Sequence, residues 1–330
     1  MARSHLTLAA LATAAVPGLD VVEASLFGGG AGDFDCALLT GRDGRHWLVR
    51  VPRNERAEAE QSADLVALRA LSAGVRTRLH FSVSAFAGQT PIDGTRAVDY
   101  EFVYGSKVPL KSIDVPRATS IGRATAAIHA LPTSFIADSG LPVFTAIECL
   151  RACVSVIDRS AATGLVPALL LTRWESATED ARLWQFQPTV INGSLSTDSL
   201  LFGGNEVTGV LGWHELRVGD PARDLAWLLG CQDETVPETA IDTYNEARGG
   251  ADRQVRQRAM LYSELELAKW LLHGTELRST EIIDDAVELL AGLADSVRRD
   301  VLHPIGPQTI PTMAVGDVED MLAHTERLSS

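Results

Sequence analysis

The residues best suited to bind phosphate lie early in the chain, in a run of glycines. Gly28, Gly29, Gly30 and Gly32 stand between two predicted strands, and Arg50 follows on the next strand. Backbone N–H groups in such a turn can surround a phosphate, and an arginine can bind phosphate oxygens through its planar fork. The pattern indicates a candidate nucleotide site. The alternative is a flexible hairpin connection followed by an exposed arginine at a strand end.

A second group of polar residues lies between positions 191 and 226. The sequence reads INGSLSTDSLLF at 191–202, VLGW at 210–213 and GDPARDLA at 219–226. In order and spacing these segments resemble the catalytic loop H-G-D-L-x-x-x-N, the strand ending in I-D-W and the G-D-P-A-x-D-L-A motif of aminoglycoside and macrolide phosphotransferases. The resemblance implies a site built for phosphoryl transfer.

Further segments support this resemblance along most of the chain. Residues 47–53 (WLVRVPR) look like the third strand of macrolide phosphotransferases, W-V-L-R-I-P-R, and residues 121–132 are similar to the family helix G-x-x-x-A-x-L-H-x-L-P. Residues 264–270 suit a late helix of the same fold. The implied fold class is α+β, a two-lobed protein-kinase-like fold with a β-rich N-lobe and a mostly helical C-lobe.

Four positions of the catalytic segment depart from the family pattern. Asn192 stands where the family has His, Ser194 where it has the catalytic Asp, Ser199 where it has the metal-binding Asn, and Gly212 where it has the metal-binding Asp. Phosphoryl transfer depends on positioning the hydroxyl and on metal ions that offset phosphate charge, and Mg²⁺ needs oxygen ligands. Together the substitutions predict a site without a catalytic base and without a metal.

Other polar residues of this segment are candidate substitutes for the lost acids or candidate structural supports. Asp198, His214 and Glu215 are the candidates that could replace the lost acids, with Gly212 and His214 expected on one face of a strand; a solvated strand end is the alternative. We expect Asp220 and Asp224 to be structural.

In the family the two aspartates hold the loop and the start of the next helix. An Asp-Pro pair also suits a cap followed by proline at the first helical position.

The remaining nucleotide-site candidates lie in the predicted N-lobe. A helix acid could face Arg50, and either Glu60 or Asp64 could supply it; Asp64 fits the family spacing better. Glu101 and Val103 lie at the end of the last predicted N-lobe strand, immediately before a hinge. A solvated charge on the helix surface is the simpler explanation of the acid.

The elements that must position these residues follow from hydrophobic spacing and turn residues. An amphipathic helix is predicted to end at Pro17, in preference to a short signal peptide. Strands are expected at 20–27, 34–40, 46–51, 79–86 and 96–103, with a long helix from residue 55 to about 73. Beyond the hinge the chain is predicted to be helical, except around 189–213. The helices are expected at 119–131, 145–162, 177–184, 221–229, 240–247, 253–272 and 281–300.

These elements predict three regions. Residues 1–103 form the N-lobe, with a leading helix, a five-stranded sheet and one long helix. Residues 104–304 form the helical C-lobe, which contains the degenerate loop 191–213. Residues 305–330, which hold Pro307 and Pro311, are expected to be a loosely packed tail.

Composition limits the partners. The net charge is −14, which argues against a nucleic-acid or anionic-membrane surface. No apolar run approaches the ~20 residues of a membrane-spanning helix. The four cysteines form no C-x-x-C pair, which favours a reducing compartment, and we expect a cytoplasmic protein.

These observations predict a pseudokinase with a binding or regulatory role. Its expected partners are a nucleotide, another small molecule or a protein, with ATP or GTP bound weakly and without Mg²⁺. Two alternatives remain: an active ATP- or GTP-dependent small-molecule O-phosphotransferase that uses displaced acids, and an interaction module with a closed cleft.

Overall fold

A five-stranded antiparallel sheet forms the first half of the protein. A computed structural model describes residues 3–28, 32–250, 252–299 and 305, so Gly29, Gly30 and the predicted tail beyond residue 305 lie outside the described residues. The strand order is β1-β2-β3-β6-β5, with neighbours paired antiparallel. The strands are β1 (Val21–Leu26), β2 (Phe34–Gly41), β3 (His46–Pro52), β5 (Phe86–Ile92) and β6 (Thr95–Glu101).

The leading helix covers the outer face of this sheet. Helix α1 (His5–Ala15) buries Leu8 and Ala12 against strand residues that include Leu39 and Val49. Strand side chains alternate between faces, so these residues point to α1 while their neighbours point to the other side. The predicted helix ending before Pro17 is therefore confirmed.

Helix α2 (Glu55–Ala70) packs on the opposite face of the sheet and brings Asp64 toward the cleft. Its start is capped by Asn54, whose Oδ1 accepts a hydrogen bond from Ala57 N at 2.8 Å. Leu65 and Leu68 join the same core as Tyr100. A single-turn helix, α3 (Ala73–Arg76), follows.

One strand prediction in this region is wrong. No strand runs through residues 79–86; instead Leu79 and Phe81 are buried in the main core from a loop. The short strand β4 (Ser82–Val83) then pairs in parallel with β9 (Glu206–Val210), far along the chain, and the fourth strand of the large sheet begins only at Phe86. The apolar residues that suggested a strand serve packing.

The second half of the chain is mostly helical. Two small sheets interrupt it. Thr189–Ile191 (β7) pairs antiparallel with Arg217–Gly219 (β10), and Leu200–Gly203 (β8) pairs antiparallel with β9, which also pairs in parallel with β4. The helices are α4 (Val115–His129), α5 (Ser134–Asp138), α6 (Ala146–Ala161), α7 (Ala168–Glu179), α8 (Thr235–Ala247), α9 (Val255–Leu277) and α10 (Thr280–Arg299).

Two helix predictions there need correction. The helix expected at 177–184 is α7, which begins at Ala168 and ends at Glu179. The helix expected at 221–229 is a pair of short 3₁₀ helices, Pro221–Asp224 and Ala226–Gly230. The other predicted helices lie within a few residues of their observed bounds.

The connection between the halves is held by backbone pairing. Ser106 exchanges two hydrogen bonds of 2.9 Å with Phe202 of β8. Gly105 approaches β8 so closely that a Cβ would lie 2.7 Å from Thr208 Oγ1 and 2.8 Å from Leu201 Cβ. Glycine is therefore required there.

Among helices of the described residues, none combines the length and apolarity that crossing a membrane requires.

Candidate functional site

The degenerate loop follows β7 and is held together by the side chain at position 192. Asn192 is fully buried, and its Nδ2 donates to Gly212 O at 2.9 Å. Its Oδ1 accepts from Ser194 N at 3.1 Å and from Ser194 Oγ at 3.2 Å. Asn192 thus joins the loop to the segment after β9 and holds the Ser194 hydroxyl.

The Ser199 hydroxyl is also engaged inside the loop. Its oxygen accepts from Ser196 N at 2.8 Å and donates to Ser196 O at 2.9 Å. A side chain that closes its own turn in this way is not directed at a metal. The predicted loss of the metal-binding amide at this position is therefore accompanied by a local structural role.

The segment 211–214 does not continue β9, so the expectation that Gly212 and His214 share a strand face is wrong. β9 ends at Val210, and Gly212 has φ +66°. This is the left-handed region, which glycine enters at little cost. A Cβ at Gly212 would meet nothing nearer than His214 Nδ1 at 4.0 Å, so the position of the absent side chain is open.

Asp224 binds the backbone at the start of the degenerate loop. Its carboxylate accepts from Asn192 N at 2.8 Å and from Gly193 N at 2.7 Å. It is fully buried and also contacts His129 Nε2 at 3.2 Å, while the other nitrogen of His129 lies 3.0 Å from Tyr244 Oη. These contacts support the structural role predicted for Asp224.

Asp220 holds a buried arginine as well as capping its 3₁₀ helix. Ala222 N donates to Asp220 Oδ1 at 2.9 Å, which is the predicted cap. In addition, Arg258, which is fully buried, donates to Asp220 from Nε at 2.8 Å and from Nη2 at 3.0 Å. Burial raises the pKa of Asp220, although the Arg258 guanidinium opposes that rise.

The two carboxylates that could replace the lost acids, Asp198 and Glu215, each form an ion pair with a neighbouring cation. Asp198 is highly exposed and lies 3.0 Å from Lys107 Nζ. Glu215 forms an ion pair of 2.8 Å with Arg217. His214 Nδ1 is buried without a hydrogen-bond partner among the described residues. Within the same part of the chain, no group of three or more His, Cys, Asp or Glu side chains is placed to hold a metal ion.

On the N-lobe side of the cleft, Arg50 stacks on an aromatic ring. Its guanidinium carbon lies 3.9 Å from the centroid of the Phe34 ring. Gly28 adopts φ +89° at the end of β1, and Gly32 O accepts from Arg53 Nη1 at 2.8 Å on the far side of the turn. The ends of the glycine turn are therefore placed next to the strand that carries Arg50.

The helix acid Asp64 bonds to the degenerate segment and forms no direct ion pair with Arg50 in the described structure. Asp64 Oδ1 accepts from Trp213 N at 2.7 Å, across the cleft. Burial raises its pKa, while the Trp213 hydrogen bond and the charges of Arg50 and His214 act in the opposite direction. Asp64 thus links α2 to the residue that follows Gly212.

Glu101 is the last residue of β6, whereas Val103, predicted at the end of the same strand, lies beyond it and before the hinge. Glu101 is half exposed and pairs with Arg45 at 2.7 Å. Val103 is buried. The intervening Phe102 donates its backbone N–H to His46 O at 3.1 Å and packs edge-on against Tyr104.

A cavity of about 460 Å³, here called the loop cavity, opens beside Ser194. The sequence predicted Glu215 near this site, but it did not predict Arg223 or the helix residues that line the cavity. Arg223 could have been found, because it is a cation within the segment GDPARDLA, between the two structural aspartates. The lining consists of Gly193, Ser194, Leu195, Glu215, Arg223, Ala226, Trp227, Gly230, Tyr262, Ser263 and Glu266.

The antiparallel sheet with its flanking helix, the hinge and the helical second half define a two-lobed kinase-like fold. Residues 23–262 match the sequence profile of the phosphotransferase enzyme family. The chain belongs to this family.

Relatives of known structure are macrolide and aminoglycoside phosphotransferases. Macrolide 2'-phosphotransferase type I is 24% identical, with a TM-score of 0.69 over 86% of this chain and 95% of its own. MphH, a macrolide 2'-phosphotransferase from Brachybacterium faecium, is 21% identical, with a TM-score of 0.71 over 87% of this chain and 98% of its own. The GDP complex of aminoglycoside 2'-phosphotransferase-IIIa is 19% identical, with a TM-score of 0.71 over 89% and 99%.

Among curated proteins, the chain is similar to the uncharacterised YcbJ of Bacillus subtilis strain 168. The two are 25% identical over 228 residues, which is 66% of this chain and 73% of that protein. This similarity carries no assigned activity.

Proposed function

We propose that this protein is a pseudokinase that binds a ligand without transferring phosphate. The observation that carries the proposal is the joint state of three positions. Ser194 and Ser199 use their hydroxyls within the loop, and Gly212 has no side chain. Mg²⁺ in such sites is held by carboxylates, phosphate oxygens and waters. A general base contributes roughly 10²–10⁴-fold in rate where it operates.

The acids around the degenerate loop do not replace the missing base and metal ligands. Asp198 and Glu215 are each paired with a cation, and Asp64 bonds to a backbone N–H. Among the described residues, no group of three or more His, Cys, Asp or Glu side chains is placed to hold a metal ion. The residues present therefore do not fit a Mg²⁺ ion, and no catalytic step is assigned to one.

For the nucleotide, we propose weak binding of ATP or GTP without Mg²⁺. The groups that support it are the glycine turn, Arg50 and the hinge backbone at Glu101 and Val103. One structural relative was solved with GDP bound, which shows that the fold accommodates a guanine nucleotide in that protein. The other partners proposed are a small molecule in the loop cavity or a protein, in a cytoplasmic setting.

The direct test is a phosphate-transfer assay. Purified protein is incubated with Mg²⁺, with ATP or GTP, and with a panel of macrolides and aminoglycosides. We expect no phosphorylated product above a no-enzyme control. Turnover well above that control would contradict the proposal.

The alternative, an active O-phosphotransferase with displaced acids, rests on one contact. Glu215 lines the loop cavity together with Ser194, and this alternative takes that cavity as the acceptor site. If phosphate transfer is found, the variants Glu215→Gln and Asp198→Asn show which of the two acids acts as the base. Activity lost in Glu215→Gln and kept in Asp198→Asn would identify Glu215 as the replacement base.

A further inference from the structure

The loop cavity contains an arginine without a carboxylate partner. Arg223 Nε donates to Gly193 O at 2.9 Å, next to Ser194. Among the described residues no acid forms an ion pair with Arg223. Arginine has five N–H donors, and the Nε contact uses only one of them. The rest of the fork is therefore available to a ligand in the cavity.

A second arginine lies close to the first. Arg217 Nη1 pairs with Glu215 at 2.8 Å, and its buried Nη2 has no hydrogen-bond partner in the described structure. That Nη2 atom lies 3.2 Å from the position of a Cβ at Gly193, the residue to which Arg223 donates. Burial, and next the charge of Arg223, lower the pKa of Arg217. The two cations therefore disfavour each other, and an anion would relieve that repulsion.

The nearby acids are already engaged. Glu215 is paired with Arg217, and Glu266 is paired with Lys269. Asp224 is fully buried and accepts two backbone N–H bonds in addition to contacting His129. Each carboxylate has a partner, while Arg223 has only a neutral carbonyl.

We propose that the loop cavity binds a small anion whose carboxylate or phosphate group is held by Arg223. Trp227 and Ala226 on the cavity wall would take an apolar body attached to that group. A planar guanidinium holds such oxygens through two parallel hydrogen bonds. The inference rests on the proposed function, because Ser194 is neutral and the two carboxylates that line the cavity, Glu215 and Glu266, are each paired with another cation.

The test uses three probes of similar size and different charge: benzoate, phenyl phosphate and benzylamine. Each is titrated by calorimetry and by thermal shift into the native chain. Benzoate or phenyl phosphate should bind and raise the melting temperature, and benzylamine should not. A preference for benzoate identifies a carboxylate site, and a preference for phenyl phosphate identifies a phosphate site. Benzylamine binding as well as either anion would overturn the proposal.

Variants locate the site. Arg223→Gln should weaken anion binding by about tenfold or more, because charge-assisted hydrogen bonds are lost. Ser194→Asp, which adds a carboxylate beside Arg223 without removing it, should weaken binding similarly. Arg159→Gln removes a cation of an exposed pair with Glu276 and serves as the matched control. Melting temperatures without probe establish that each variant is folded.

The outcomes separate this inference from the proposed function. Native affinity in both Arg223→Gln and Ser194→Asp would overturn the anion site, even if no phosphate transfer is ever seen. Phosphate transfer by the native chain would contradict the pseudokinase proposal, while the charge preference of the probes would still decide the ligand class.

Discussion

At the scale of single residues, the substituted positions have acquired structural contacts. Asn192 bridges the loop to Gly212 O, and Ser199 closes a turn on Ser196. Restoring the family residue at position 192 or 199 would therefore remove an existing hydrogen bond as well as adding a functional group. The substituted residues therefore stabilise the loop through their own hydrogen bonds, in addition to lacking the catalytic groups of the family motif.

Asp220→Ala should destabilise the protein strongly without removing a ligand contact. From the cap alone the expected loss is ~1 kcal/mol. The expected loss is larger than this, because the fully buried Arg258 also loses its ion pair with Asp220. Asp252 remains as a second partner of Arg258, so the loss stays below the roughly 3–5 kcal/mol typical of a buried charge left unpaired.

Chemical denaturation measures the loss, and Asp138→Ala, at an exposed aspartate, is the control. An unchanged unfolding free energy combined with lost ligand binding would make Asp220 a functional residue.

Asp99 should make stability depend on pH. It is fully buried in the sheet, both its oxygens lack partners among the described residues, and burial raises its pKa to about 7. An unfolded aspartate titrates near 3.9. The folded chain therefore holds the proton more tightly, and stability falls as pH rises from about 4 to about 7.

Asp99→Asn should abolish this fall. The stability gained relative to the native chain should be small near pH 4 and grow to on the order of 4 kcal/mol above pH 7. Urea unfolding at several pH values measures it. A difference that does not change with pH would show that folding leaves the pKa of Asp99 unraised.

At the scale of elements, local patterns predicted most of the fold and the long-range contacts were beyond them. The leading helix, the first three strands and α2 were predicted close to their observed bounds. The strand at 79–86 was wrong because apolar spacing cannot distinguish a buried loop from a strand. Arg258 with Asp220, and Asp64 with Trp213, join residues 38 and 149 positions apart, and no local pattern specifies such pairs.

The candidate site could likewise be predicted from the sequence only in part. The substituted loop, Arg50 and the structural aspartates could be located from sequence because they fall within ordered motifs. The loop cavity could not, because its wall combines the loop with α9 and a 3₁₀ helix. Which face of each helix lines it depends on packing between distant segments.

The contact from Asp64 to Trp213 should couple α2 to the degenerate segment. Asp64→Ala leaves the buried Trp213 N–H without its acceptor, which typically costs about 1–3 kcal/mol. Hydrogen exchange at residues 211–214 should accelerate, and the unfolding free energy should drop. Glu60→Ala, one turn earlier on the same helix, is the matched control. Equal effects of the two variants would show that α2 acts only through its own helical stability.

At the scale of the whole molecule, the protein keeps the family fold, whereas Ser194 and Gly212 stand where the family motif has acids. The two halves are joined by the hinge pairing of Ser106 with Phe202 and across the cleft by Asp64 with Trp213. Both joints are made by protein groups alone. They hold the two sides of the cleft together, which suits binding because a site that is ordered in advance loses less entropy when its ligand arrives.

Nucleotide binding to the native chain should be nearly independent of Mg²⁺, because the positions that would hold the metal lack ligands. A triple variant, with Ser194→Asp, Ser199→Asn and Gly212→Asp, should bind nucleotide more tightly in the presence of Mg²⁺ than in its absence. An aspartate tolerates the left-handed backbone at Gly212 better than most residues, and the space there is open.

Calorimetry of ATP and GTP with Mg²⁺ or with a chelator measures the difference in both proteins, and the double variant without Gly212→Asp is the control. Because Gly212→Asp adds one of the two restored metal ligands, the double variant should show a weaker metal effect than the triple. Tight, Mg²⁺-dependent binding by the native chain would reveal a substitute metal site, and the loop would then belong to an enzyme with displaced acids.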